Sequence, residues 1–116
     1  MVLPICVVDD DDASREAISG LVRALGHRVA EFSSADAFLA FAEIGRVEVL
    51  IADVRMPGMT GIELCELMAA SGSAIRTVLI TAHPSEADRQ RAARVGAAFL
   101  VKPVSPAALV ACLGAP

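Results

Sequence analysis

The chain has 116 residues, enough for one hydrophobic core and too few for two. Hydrophobic residues make up 55% and charged residues 21%, a balance that excludes a disordered segment and calls for a packed interior. A formal net charge of −4 speaks against direct nucleic-acid binding, and no apolar run approaches the roughly 18 residues of a membrane span, so the sequence reads as a cytoplasmic protein without a membrane partner.

Short apolar runs rich in β-formers alternate with longer segments of helical period. Ile5 to Val8 is a continuous apolar run closed by the acidic series Asp9 to Asp12. Asp11 and Asp12 read as a solvated turn, with Asp12 or a neighbour capping the helix that follows. That helix carries Ala17, Ile18, Leu21, Val22 and Leu25 on one stripe and stops at Gly26. Arg28 to Phe32 is the second strand, marked as an edge by Arg28 and Glu31. Ser34 caps a second helix that buries Phe38, Leu39 and Ala42. The third strand, Val47 to Ala52, leads into Asp53 and the loop from Val54 to Gly58. Thr60 and Glu63 have capping-box spacing ahead of Leu64, Leu67 and Met68. Arg76 to Ile80 is the fourth strand, followed by Thr81. Ser85 with Asp88 opens the fourth helix, whose Arg89, Arg91 and Arg94 read as a solvated face, with a docking surface as the lesser reading. Ala98 to Val101 is the fifth strand and runs into Lys102, after which Ser105 and Pro106 start the last helix.

Between Val104 and Pro116 there is no charged residue. Leu109 and Leu113 can form the stripe against the sheet, which turns Ala107, Ala108, Ala111 and Cys112 outward or sideways with Val110 flanking them, and Val110, Ala111 and Cys112 are a candidate interface with a second copy or an effector domain. Cys6, Cys65 and Cys112 are widely spaced among apolar residues and read as core filler rather than as a disulfide framework or a metal site. The expected architecture is an α/β domain of (βα)5 type, a doubly wound parallel five-stranded sheet with helices on both faces.

In an open parallel sheet, ligands bind beyond the carboxyl ends of the strands. The residues standing there are Asp9 and Asp10 after the first strand, Asp53 after the third, Thr81 after the fourth and Lys102 after the fifth. Three carboxylates brought together repel one another and require a cation. An all-oxygen set without His or Cys suits Mg²⁺ or Mn²⁺, and Mg²⁺ typically takes one or two carboxylates with water and phosphate oxygens. One carboxylate is then left to react. Asp53 stands alone at a central strand end, and its attack on phosphorus would give an aspartyl phosphate. Lys102 supplies positive charge for phosphoryl oxygens and Thr81 a hydrogen bond. Lys102 is also the only lysine in a chain whose other basic residues are arginine, as expected where a compact ammonium is needed. His83 has neither a nucleophile nor a metal partner and receives no role.

Four motifs, VVDD at Val7 to Asp10, DVRMPGMTG at Asp53 to Gly61, TA at Thr81 and Ala82, and KP at Lys102 and Pro103, occur in this order. Through them the chain resembles the receiver domains of bacterial two-component response regulators over nearly its whole length, as one domain spanning residues 1–116. The loop after Asp53 and AFLAFAEI in the second helix are most similar to regulators of the NarL/FixJ type. The resemblance implies a flavodoxin-like fold of strand order 2-1-3-4-5 and Mg²⁺-dependent phosphoryl transfer from a sensor histidine kinase to Asp53. It also implies a change of conformation that controls an output domain or partner. Such a domain is a phosphoacceptor rather than an enzyme, catalysing only its own phosphorylation and dephosphorylation. By the same match Asp9 and Asp10 are the acidic pair, Arg55 completes the metal shell through its backbone carbonyl, and Lys102 is the phosphate-binding lysine. Thr81 is the switch hydroxyl, and Phe99 the switch aromatic that rotates into the space Thr81 vacates.

Two features depart from the family pattern. The segment from Thr81 to Lys102 is one residue shorter than is common, and the last helix ends early, at Gly114, so the chain reads as a free-standing receiver or as the N-terminal piece of a longer regulator. Two other functions compete. Asp10 and Asp12 have the spacing of the paired aspartates in haloacid dehalogenase phosphatases, but those enzymes need a further acidic motif and a cap for which this length leaves little room. A pseudo-receiver that only binds protein usually lacks part of the acidic site, and no part is missing here.

Overall fold

Each of the five apolar runs forms a strand in the computed structural model, which describes residues 4–41 and 46–113. The strands are β1 (Ile5–Val8), β2 (Val29–Phe32), β3 (Val49–Asp53), β4 (Arg76–Thr81) and β5 (Ala98–Val101), all parallel, in the order β2-β1-β3-β4-β5. Between and after them lie α1 (Asp12–Ala24), α2 (Ala35–Leu39), α3 (Gly61–Ala70), α4 (Glu86–Arg94) and α5 (Pro106–Leu113). This is the flavodoxin-like arrangement that the resemblance implied.

Side chains alternate across a strand, so a run buried on both sides supplies two cores at once. One face of the sheet packs Cys6, Val8, Leu50, Ala52 and Leu79 against Phe38 of α2, Leu64 and Met68 of α3 and Ala92 of α4. The other packs Ile5, Val7, Val49, Ile51, Val78 and Ile80 against Ile18 and Val22 of α1 and Leu109 and Leu113 of α5. β1 and β3 are buried throughout, whereas β2 and β5 are the half-exposed edges of the sheet.

The helix starts follow the local chemistry closely. Asp11, not Asp12, caps α1, its Oδ2 accepting from the Ser14 amide at 2.8 Å, while Asp12 is already helical and pairs with Arg15. Ser34 and Ser85 cap α2 and α4, the Ser105 hydroxyl accepts from the Ala108 amide, and Thr60 and Glu63 form the full capping box on α3. Gly26, at φ 95°, lets the chain turn out of α1 in a conformation that a side chain would resist.

Three expectations need adjustment. The stripe on α1 is narrower than the spacing suggested: Ile18 and Val22 are buried, Leu21 and Leu25 half-buried, and Ala17 exposed. Leu67 is 44% exposed although Leu64 and Met68 on the same helix are buried, because α3 meets the sheet along a single side. Asp53 and Thr81 are the last residues of β3 and β4 rather than the first of the loops beyond, so ladder hydrogen bonds hold their backbones. Ala42 and Gly114 lie outside the described residues. Among the described residues no helix is long and apolar enough to cross a membrane.

Candidate acidic site at the strand ends

The carboxyl ends of β1 and β3 are adjacent because the two strands pair directly, and this pairing brings the acidic residues together. Asp9 is fully buried, its amide donating to the Phe32 carbonyl at 3.1 Å at the end of β2. Its Oδ1 accepts from the Asp11 amide at 3.0 Å, and its carbonyl accepts from the Arg15 guanidinium at 2.8 Å. Asp53 is 7% exposed; its Oδ1 accepts from the Arg55 amide at 2.9 Å. Asp10 faces solvent.

Lys102 joins the two buried acids. Its Nζ donates to Asp53 Oδ2 at 2.7 Å and to Asp9 Oδ2 at 3.1 Å. Its own amide donates to the Thr81 carbonyl at 2.8 Å, so the lysine is anchored to the end of β4, and its bond to Pro103 is cis. Burial pushes the Asp53 carboxyl above the usual carboxylate range; the Lys102 hydrogen bond and the Arg55 amide pull it back only in part, and the Asp9 charge adds to the rise. At Lys102 burial acts to lower the pKa, but the hydrogen bonds to Asp53 and Asp9 and their negative charge outweigh it, and the net shift is upward.

Asp9, Asp10 and Asp53 each offer a carboxylate oxygen, all within 4.8 Å of one another. Three hard oxygen donors at this separation fit a divalent cation of the Mg²⁺ kind and give no reason to expect a soft metal. Buried acid and a single bridging ammonium leave the site short of positive charge, which a cation would supply.

Thr81 is fully buried, and its Oγ1 accepts from the His83 amide at 3.1 Å. His83 thus enters the site through its backbone alone. Phe99 lies opposite Leu79 in the β4–β5 ladder, so strand alternation puts it on the same face as Leu79 and Thr81. It is half-buried, with the Arg89 guanidinium 4.8 Å from its ring centroid, so Arg89 does more than solvate α4. Arg91 of the same helix pairs with Glu66 of α3 at 2.6 Å.

Every strand-end residue singled out from the sequence therefore lies at this end of the sheet, while Val110, Ala111 and Cys112 lie on α5. Of those three, Val110 and Ala111 are exposed, and Cys112 is half-buried against the core that Leu109 and Leu113 enter. Three supporting residues escaped the sequence reading. Gly61 is one: a Cβ there would overlap the Asp53 carbonyl, so only glycine lets α3 start so close to the end of β3. A glycine at the first position of a helix, where it is a poor former, was the available signal. The other two are Arg15, which holds the Asp9 carbonyl, and Asp88, which pairs with the Arg55 side chain. A groove of about 400 Å³ opens beside the site, lined by Ser14, Ala17, Ile18 and Leu21 of α1 and by Lys102, Pro103 and Val104.

Comparison with known proteins gives a family and a fold. The family model described as response regulator receiver domain matches residues 5–113. The transcriptional regulatory protein FixJ of Azorhizobium caulinodans is 39% identical over 115 residues, covering 97% of this chain and 54% of FixJ. The response regulator protein TmoT of Ectopseudomonas mendocina is 42% identical over 102 residues, covering 85% of this chain and 46% of TmoT. The chain thus spans about half the length of the curated relatives it matches. The crystal structure of FixJ-N superposes with a TM-score of 0.86 at 31% identity, covering 97% of this chain and 91% of that one.

Proposed function

Because the chain belongs to the response regulator receiver domain family, with relatives of FixJ type, we propose that it accepts a phosphoryl group on Asp53 from a sensor histidine kinase and converts the added charge into a change of conformation. The observation that carries this reading is the double engagement of Asp53: one oxygen on the Arg55 amide and the other on Lys102, with Asp9 and Asp10 alongside. A carboxylate held at both oxygens is oriented before a donor arrives.

Asp53 is the nucleophile: its oxygen forms a bond to phosphorus as the bond to the donor histidine nitrogen breaks. Lys102 is placed to hold the transferred oxygens, exchanging its carboxylate partners for them. Asp9, Asp10, Asp53 and the Arg55 backbone carbonyl would hold Mg²⁺, or Mn²⁺ in its place, whose charge balances that of the phosphoryl oxygens. The Thr81 hydroxyl, now accepting from the His83 amide, is free to donate to a phosphoryl oxygen, and Phe99 on the same face follows it inward. The phosphoryl group brings about −1.5 to −2 charges and shifts a pre-existing equilibrium by its differential affinity for the two states. Turnover of a separate substrate is not part of this role.

Response regulators act with histidine kinases and output domains, and we place this chain in the bacterial cytoplasm with them. The apolar groove beside Lys102 suits the approach of a helical phosphodonor protein, and the exposed Val110 and Ala111 of α5 suit contact with a second copy or an effector domain. The decisive experiment is incubation with acetyl phosphate and Mg²⁺. It should yield one acid-stable, base-labile phosphoryl group per chain, located on Asp53, absent with EDTA and absent in Asp53→Asn. Asp10→Asn should blunt the rise in melting temperature on adding Mg²⁺. Label on another residue in the Asp53 variant would overturn the assignment, and rapid continuous release of phosphate would favour a phosphatase.

A further inference from the structure

We propose that Asp88, in the first turn of α4, is a positioning residue for phosphoryl acceptance: it acts through the Arg55 side chain and couples α4 to the state of Asp53. The proposal rests on Asp53 as the acceptor but has a test independent of it.

Arg55 is held at both of its ends. Its amide donates to Asp53 Oδ1 at 2.9 Å, and its guanidinium donates to Asp88 Oδ2, also at 2.9 Å and 33 positions along the chain. The two ends of this link differ in freedom. The Asp88 side chain is 13% exposed and that of Arg55 59%, so an exposed cation reaches over a seated carboxylate. Asp88 is seated because its own amide bonds to the Ser85 cap, which ties it to the start of α4. On the other side, the loop from Val54 to Gly58 carries the amide that orients the acceptor; Val54 and Met56 are buried in the core on either side of it, while the Arg55 side chain is exposed and meets Asp88. The pair with Asp88 adds a second restraint on the residue whose amide meets the Asp53 carboxylate, beyond the buried Val54 and Met56.

The same link matters to α4. Among the residues of this helix only Ala92 is buried, with Val95 half-buried at its end, and three further contacts hold it: Arg55–Asp88 to the loop after β3, Arg91–Glu66 to α3, and Arg89 over the Phe99 ring. A helix with so little apolar anchorage responds to small changes in such contacts. A phosphoryl dianion on Asp53 arises next to the Arg55 amide and competes with Asp88 for the guanidinium. Weakening of the pair loosens the start of α4, and by reciprocity whatever breaks the Asp88–Arg55 pair from the α4 side alters the acceptor.

The test uses Asp88→Asn, Arg55→Gln and the double variant, with Glu66→Gln as a control that frees α4 from α3 without touching Arg55. Amide hydrogen exchange of the unphosphorylated protein is read by NMR. Each single variant should speed exchange at the Arg55 amide and across residues 86–94 by about two- to fivefold, the range of a partly exposed ion pair. The double variant should add nothing to either. Labelling by acetyl phosphate should slow by a similar factor in all three, while Glu66→Gln speeds exchange in α4 only and leaves the Arg55 amide and the labelling rate unchanged. An Arg55 amide unaffected by Asp88→Asn, or effects of the two single changes that add, would overturn the proposal. Failure of the wild type to label at all would overturn the acceptor reading instead, while the exchange data still decide whether Asp88 holds Arg55.

Discussion

Lys102 compensates two buried carboxylates with one charge, so its removal should cost more than a surface pair would. Lys102→Met leaves Asp9 and Asp53 facing each other in a poorly solvated site. We expect a loss of about 2 kcal/mol in urea denaturation, below the roughly 3–5 of a fully buried pair because water reaches Asp10 beside it. Adding Asp53→Asn in that background should restore part of the loss, and no recovery would mean that repulsion is not the cause. Titration of Asp53 gives a second expectation. Burial raises its pKa in the fold above the unfolded value, so the folded protein holds this proton more tightly. The stability from this group is present below the unfolded pKa and is lost as pH rises through the folded one. Without metal, Asp53→Asn should therefore flatten the dependence of melting temperature on pH in the mildly acidic range and leave the variant more stable near neutrality. Parallel curves for variant and wild type would contradict this.

Among the elements, the start of α3 is the one most constrained by the site. Gly61 is its first residue, and a Cβ added there would overlap the Asp53 carbonyl. Alanine is the better helix former by about 1 kcal/mol, yet its Cβ has no room, and overpacking of this kind costs about 1–3 kcal/mol. Gly61→Ala should thus destabilise the fold and, on the proposed role of Asp53, slow its labelling, since relief requires the end of β3 or α3 to move. Thr60→Ala, which removes only the cap, should cost about 1 kcal/mol without slowing labelling. If both variants lower stability alike and neither affects labelling, the close approach has no bearing on the acceptor. α5 is constrained differently: Leu109 and Leu113 dock it to the sheet, while Val110 remains 43% exposed.

For the molecule as a whole, the thiols report on the two cores. Burial pushes the Cys6 thiol up to about 11 and raises Cys65 as well, whereas Cys112 is half-buried at the margin of the second core. With a thiol-reactive disulfide at pH 8, Cys112 should react first, and Cys6 and Cys65 only at the rate of opening of the sheet. Early reaction at Cys6 would show that β1 opens separately from the rest. The stability tied to Cys6 as a neutral thiol is complete below its unfolded pKa and declines as pH rises toward about 11, so alkaline melts should fall over that range.

The continuous apolar runs, the capping residues and the polar residues following each run were legible in the sequence because each is a local pattern, set by side-chain period and by hydrogen bonds that span three or four residues. They were enough to locate Asp9, Asp10, Asp53, Thr81 and Lys102 at one end of a parallel sheet. The strand order came from likeness to a family, since apolar runs do not say which of them lie side by side. Tertiary structure alone decided that Lys102 bridges Asp9 and Asp53, that Gly61 abuts the Asp53 carbonyl, that Leu67 faces outward, and that Arg55 meets Asp88. These contacts join residues far apart in the chain, and their geometry follows from how the layers pack, which no local period encodes.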